Sequence, residues 1–475
     1  MTSALAQQAV AFASDPTDYF GYSYTRMQSL PRDELEALQL AALQFRFETL
    51  YASVPMVKTL ADKQRADGIR QLADVVPMLF EHTMYKSYPP SLLENNRFDQ
   101  LTRWLNKLTA HDLSQLDTRG CEGISDWVML LDEQTPLKIN HSSGTSGSMS
   151  FNPFSKEEYR LFGKTWAITS FQEFGDPAAD PKNYVPNVHV VSPTFRTGAN
   201  AFIRGTEMFT ESIAGSEERV HTLYPGRLDS DVLYLAARVR AAKARGDLSS
   251  VKVSPKLRAR QKDFEAQQAA MPADMERFFQ RIVAELAGKR VFILTTWNMI
   301  YDLAKQGLER GIRGVFAPNS VVNSGGGAKG LVRPPDWQIP ICEFTGVKRL
   351  KGGYGMSELC ATCVMCAHGQ YHLSPWLIPF VLDPDTSEVL PRSGRITGRA
   401  AFYDLLANSR WGGFITGDQI TINWDGGCPC GAKSAYIEEP IQRYSDKRGG
   451  DDKITCAATP EAHQEAMEFL TNLAT

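Results

Sequence analysis

The sequence predicts an α/β protein: a helical opening, a core of mostly parallel sheet flanked by helices, and a small β-rich subdomain. Three observations predict it. The first 135 or so residues carry apolar side chains at three-to-four residue spacing, as in Leu35, Leu38, Leu43, Phe47 and Leu50. From about 136 onward, short β-rich runs such as NVHVVS (187–192) and VFILTT (291–296) alternate with helix-like stretches and glycines. After about 375, strand candidates follow at short intervals: 377–382, 395–397, 414–416 and 419–423.

Each part has its own local cause. Pro31 followed by Asp33 and Glu34 is a helix start with acidic residues in the first turn. A further helical stretch is expected over 92–108. The charged segment 253–288 reads as solvated helices packed outside the sheet, with a basic docking helix as the lesser alternative. The expected divisions are a helical segment at 1–135, an α/β core at 136–375, a β-rich unit at 376–445, and a short tail at 446–475.

The chain has 475 residues, 43% of them hydrophobic and 22% charged, enough for a large core. A net charge of −3 gives no reason to expect nucleic acid or an anionic membrane as partner. The first twenty residues lack a secretory signal, and no run of about 20 apolar residues occurs, so a cytoplasmic protein that does not span a membrane is expected. Five of the eight cysteines fall in two tight groups, Cys360, Cys363 and Cys366, then Cys428 and Cys430. In such a setting they suggest metal or reduced thiols rather than disulfides.

Residues 141–150 read HSSGTSGSMS. Ser142, Ser143, Thr145 and Ser146 offer hydroxyls, while Gly144 and Gly147 let backbone amides turn toward an anion, as a polyphosphate requires. No lysine follows as in GxxxxGK[ST], so the ordinary P-loop is not implied. A flexible Ser/Gly linker is the plain alternative, but the run is short and leads into Ser155-Lys156-Glu157-Glu158, a helix start.

SSGTSG with a downstream P-x-S-x-x-E-Y, then YGMSE at 354–358, then TGD at 416–418, resembles the adenylate-forming superfamily in order and spacing. Within it the sequence is most similar to phenylacetate–CoA ligases and the acyl-protein synthetases of bacterial bioluminescence. The resemblance implies ATP-dependent activation of a carboxylic acid to an acyl-adenylate, with release of pyrophosphate and transfer to CoA, a carrier-protein thiol or an amine. It implies that the 142–147 loop wraps the ATP phosphates, with Thr145 and Glu358 the catalytic residues and Glu358 a Mg²⁺ ligand. Ser324, Gly325, Gly326 and Gly327 would lie beside the adenine. Tyr354 would flank it, followed by Gly355 and Met356, with Ser357 near the α-phosphate. Asp418 would take the ribose hydroxyls, and Arg448 belongs to the hinge segment RGGDDKI.

Family members carry a further C-terminal domain after that hinge, with a catalytic lysine. Here only about twenty residues follow, so that domain is expected to be largely missing. Slow adenylation by the large domain, a lysine from a partner chain, or an altered reaction are the three outcomes. Lys447 and Lys453 are nearby cations, and Cys456 is an acyl-acceptor candidate that more simply begins an apolar tail. A nucleotide-binding pseudoenzyme is the second reading.

Soft thiolates with imidazole at short spacing suit structural Zn²⁺. Cys363 and Cys366, His368 and His372, and Cys428 and Cys430 offer the ligands. The pattern in some phenylacetate–CoA ligases favours Cys366, His372, Cys428 and Cys430, with Cys363 the rival fourth ligand. A closed set leaves no open position, which disfavours a zinc hydrolase. For the acid itself, Phe195, Arg196 and Trp297 fall where relatives line the acyl pocket, and aromatic walls favour an aromatic acid.

Overall fold

The computed structural model describes residues 3–142, 149–177, 184–325 and 333–444. The 143–148 loop residues, Gly326, Gly327, Arg448, Lys447, Lys453 and Cys456 lie outside them. Fourteen strands are present among the described residues: β1 (Phe80–Glu81), β2 (Asn140–His141), β3 (Phe151–Asn152), β4 (His189–Gly198), β5 (Val220–Leu228), β6 (Val291–Thr296), β7 (Val321–Gly325), β8 (Gly353–Tyr354), β9 (Cys363–Met365), β10 (Tyr371–His372), β11 (Leu377–Leu382), β12 (Arg395–Asp404), β13 (Gly413–Asn423) and β14 (Tyr436–Arg443).

The opening is helical. Its longest helix, Arg32–Ser53, starts at Pro31 and buries Leu38, Leu43, Phe47 and Leu50. The expected 92–108 helix is two shorter ones, Ser91–Glu94 and Phe98–Leu105. Asn96 between them has positive φ, which breaks the helix there. The helices Pro255–Ala259 and Gln261–Glu285 occupy the charged segment, and the second buries Phe278, Phe279 and Ile282.

β4 to β7 form a four-stranded sheet in the order β5-β4-β6-β7, parallel throughout. Their near-continuous apolar runs fit a sheet with covered faces. The remaining large sheet has eight strands, with β11-β12-β13-β14-β10-β9-β8 antiparallel and β1 added parallel to β13. The two sheets are joined at one edge. Lys351, just before β8, bridges Asn323 of β7, and its amide donates to the Val322 carbonyl at 2.9 Å.

β13 corrects one expectation. Residues 414–416 and 419–423 are parts of one strand rather than two, because β12 pairs along both ends of it. On its other side the partner changes midway: Phe414 and Ile415 face β1, whereas Asp418 onward face β14. Thr416-Gly417-Asp418 sits at that change of partner.

Candidate active site

The site is built where sequence-distant strand ends meet. Parallel sheets present ligand crevices at the carboxyl ends of their strands. Here those ends carry Phe195 (β4), Thr295 and Thr296 (β6) and Ser324 and Gly325 (β7), with Trp297 opening the next helix, Trp297–Glu309. Ser324 is paired with Thr295, and Gly325 with Thr296. The hydroxyls of Thr194, Thr295 and Thr296 and both amide atoms of Asn323 are buried there without a hydrogen-bond partner.

Tyr354 and Asp418 meet between β8 and β13. The Tyr354 hydroxyl donates to Asp418 Oδ2 at 3.0 Å, and the Asp418 amide donates to Thr416 Oγ1 at 3.0 Å. Arg443 Nε stands 3.7 Å from Asp418 Oδ1. Burial and the neighbouring Asp418 carboxylate raise the Tyr354 phenol well above its ordinary range, so it stays a donor. The glycines around Tyr354 are there for space: a Cβ on Gly353 would stand 3.0 Å from Thr362, and one on Gly355 3.1 Å from the Thr362 hydroxyl.

Ser357 and Glu358 lie a few residues further on. The Ser357 hydroxyl donates to Glu358 Oε2 at 2.9 Å. Burial raises the Glu358 carboxyl above the usual range, while Arg443 and Lys86 pull it back toward the charged form.

The glycine-rich loop is rooted beside them. Its two ends are β2 and β3, and Asn140 Nδ2 donates to the Ser357 carbonyl at 3.1 Å and to Tyr159 at 2.9 Å. Ser142 closes the neck: its amide donates to the Ser150 carbonyl, and its hydroxyl accepts from the Ser150 amide at 2.9 Å. His141 is buried between the Ser142 carbonyl and the Ser230 hydroxyl, and burial lowers its pKa to about 4, so it is neutral.

Beneath the site lies a charged cluster that the sequence reading missed. Ser155 and Glu158 form a reciprocal cap on the helix Lys156–Phe171, and Glu158 also accepts from the amides of Asn408 and Ser409. The buried Arg410 guanidinium stands 3.5 Å from Glu158 and 3.4 Å from Asp404, over the face of Phe154. Asp404 in turn accepts the Cys360 amide at 2.6 Å, two residues beyond Glu358. Burial raises Asp404, whereas Arg410 is held charged by the acidic groups around it despite burial. The cap was visible in the sequence; its link across some 250 residues had no local signal. Asn140 and Lys86 were likewise missed.

The proposed acyl residues are placed as follows. Phe195 packs on Tyr224 with ring centroids 4.7 Å apart, and Trp297 contacts Trp337 at 5.9 Å with Arg333 over both rings. Arg196 is ion-paired with Glu217.

Next to the site, Cys366, His372, Cys428 and Cys430 bring their ligand atoms within 4.8 Å of one another. Cys430 Sγ is 3.2 Å from His372 Nε2, and Cys366 Sγ is 3.7 Å from Cys428 Sγ. His372 Nδ1 is held by Ser434 at 2.9 Å, as metal-bound imidazoles commonly are. Burial raises the Cys366 thiol, but His372 and the amides of His368 and Gln370 outweigh it and bring it down to about 6. Cys363, the rival fourth ligand, is instead fully buried in the main apolar core, and burial pushes its thiol up to about 12.

No protein-family model and no curated protein matches this chain. Solved structures do. An open conformation of 2-hydroxyisobutyryl-CoA ligase in complex with 2-HIB-AMP and CoA aligns with TM-score 0.52 and 13% identity, covering 88% of this chain and 71% of that one. Its thioesterification state aligns with TM-score 0.51 at 13% identity, over 88% and 70%. The chain has the fold of an adenylate-forming ligase. Within that fold the mixed architecture has a clear order: the parallel sheet supplies Thr295, Asn323 and Ser324, and the antiparallel sheet supplies Tyr354 and Asp418. Among the described residues, no helix is long and apolar enough to cross a membrane.

Proposed function

We propose that this protein activates a carboxylic acid with ATP, forming an acyl-adenylate and pyrophosphate, and then passes the acyl group to a thiol or amine. The observation that carries the reading is convergence: the root of the glycine-rich loop bonds Ser357 through Asn140, and Tyr354 bonds Asp418. These bonds support a single site drawn from three segments that mean little alone.

In this reading the acid's carboxylate oxygen attacks the α-phosphorus, the P–O bond to the β-phosphate breaks, and pyrophosphate leaves. Little covalent work falls to the protein, so catalysis rests on positioning and charge neutralisation. Asp418 accepts from the ribose hydroxyls, Tyr354 flanks the base, and the 142–147 loop supplies donors to the phosphates. Glu358 would hold Mg²⁺, which supplies neutralisation of phosphate charge. Aromatic rings at the ends of β4 and β6 support an aromatic acid.

Cys366, His372, Cys428 and Cys430 would hold a structural Zn²⁺: three thiols and one imidazole form a closed tetrahedral set of soft donors. It would tie β9 and β10 to the turn before β14, beside Tyr354.

Hydroxylamine trapping tests the reading. Purified protein with ATP, Mg²⁺ and hydroxylamine is presented with aryl, alkyl and amino acids, and hydroxamate is measured. Hydroxamate from aryl acids first is the expected result. None from any acid would leave only nucleotide binding.

A further inference from the structure

Charge on this chain is segregated. Residues 238–262 hold nine basic side chains against one acidic side chain, Asp247. That segment is therefore +8, and since the chain totals −3, the other 450 residues together carry −11. The segment has its own small core, in which Val239 and Ala242 of the helix Ser230–Arg245 pack on Val251, Val253, Leu257 and Phe264. With its apolar side chains turned inward, it stands as a compact basic platform. Lys256 and Arg260 pair with Asp126 and Asp229 and fix it to the body. Lys243, Arg245, Lys252, Arg258 and Lys262 are exposed.

Leu248 lies among them on the short turn Leu248–Ser250, 43% exposed and one of four large apolar side chains exposed among the described residues. An exposed apolar side chain within a basic segment is the complement of an acidic surface with an apolar spot.

We infer that this platform docks an acidic, helical protein segment. Three features favour that partner. Single-stranded nucleic acid is gripped by exposed aromatic rings as well as cations, but Tyr234 and Phe264 here are buried. Insertion into a membrane surface is strengthened by an exposed apolar stripe, whereas Val251, Val253 and Leu257 are spent on the segment's own core. The strongly negative remainder of the chain repels any extended polyanion, while a compact acidic helix meets only the platform. The inference does not depend on adenylation. Ser230, at the near end of its helix, bonds His141 at the loop's root, and sixteen residues of helix put Arg245 about 24 Å away.

The test uses the full chain and a labelled, glutamate-rich amphipathic helical peptide with one leucine stripe, in 150 mM salt, read by fluorescence anisotropy. Saturable binding is expected. R245E/K252E should weaken it at least tenfold, and L248S at least threefold at unchanged charge. Circular dichroism and thermal melting identify a misfolded variant, and K243E/R258E serves as the independent second pair. Absence of saturable binding, or binding indifferent to both charge reversals or to L248S, overturns the inference. So does tighter binding of oligouridylate or of phosphatidylserine vesicles than of the peptide.

Discussion

Tyr354 donates its phenolic hydrogen to Asp418 at 3.0 Å, joining strand β8 to β13 where β13 changes its pairing partner. The bond fixes the tyrosine ring and one lobe of the carboxylate, with Arg443 at the other. D418N keeps the shape but exchanges an anionic acceptor for an amide. We expect it to raise the KM for ATP about tenfold or more, by analogy with charge-assisted hydrogen bonds worth about 1.5–3 kcal/mol. Y354F should have a smaller effect, and the double variant should be less than additive. Steady-state pyrophosphate release reads all three.

Glu358 leads to a pH prediction with a definite sign. Its carboxyl is raised by burial, so the folded state holds the proton more tightly than the unfolded chain. The stabilising contribution of the neutral carboxyl is therefore complete below the unfolded value and is lost as pH rises through the folded one. E358Q, neutral throughout, should melt at a higher temperature than the natural protein at pH 7.5, and the difference should disappear near pH 4. Differential scanning fluorimetry across pH checks this, and equal melting at both pH values would contradict it.

The buried cluster of Arg410, Glu158 and Asp404 should be costly to break from one side. R410M leaves two buried carboxylates without their shared cation, and we expect a loss of about 3–5 kcal/mol of stability in urea unfolding. A loss below about 1 kcal/mol would mean that the cluster is already neutral or hydrated.

For the metal, the protein is expected to purify with one zinc per chain. C430S and H372A should lose it and melt lower, by on the order of 5 °C. C363S should retain zinc, because that thiol faces the apolar core. Zinc retained by C430S and lost by C363S would reassign the ligands.

Much of this was readable in the sequence, and the limits have physical causes. Strand 291–296 matches its predicted bounds, since an unbroken β-branched and apolar run bounded by a helix start admits few alternatives. Ser155 and Glu158 announced their helix because a capping box is a local device. The strand candidates 414–416 and 419–423 are one strand because β12 pairs with Ile415 and again with Gln419, with a register shift across Thr416-Gly417-Asp418. Cys363 and His372 were rivals on spacing alone. Strand alternation separates them, turning Cys363 to the core and His372 toward Cys430. The contact between Arg410 and Glu158 spans 252 residues, and no periodicity encodes it.

The most direct test of the central claim is acid-dependent ATP–pyrophosphate isotope exchange by the purified full chain, with E358Q alongside. The account predicts exchange that requires a carboxylic acid and Mg²⁺ and falls at least about a hundredfold in E358Q, the scale of losing one preorganised charge contact in a phosphate-binding site. Exchange without any acid, no exchange with any acid, or equal exchange by the two proteins would contradict it.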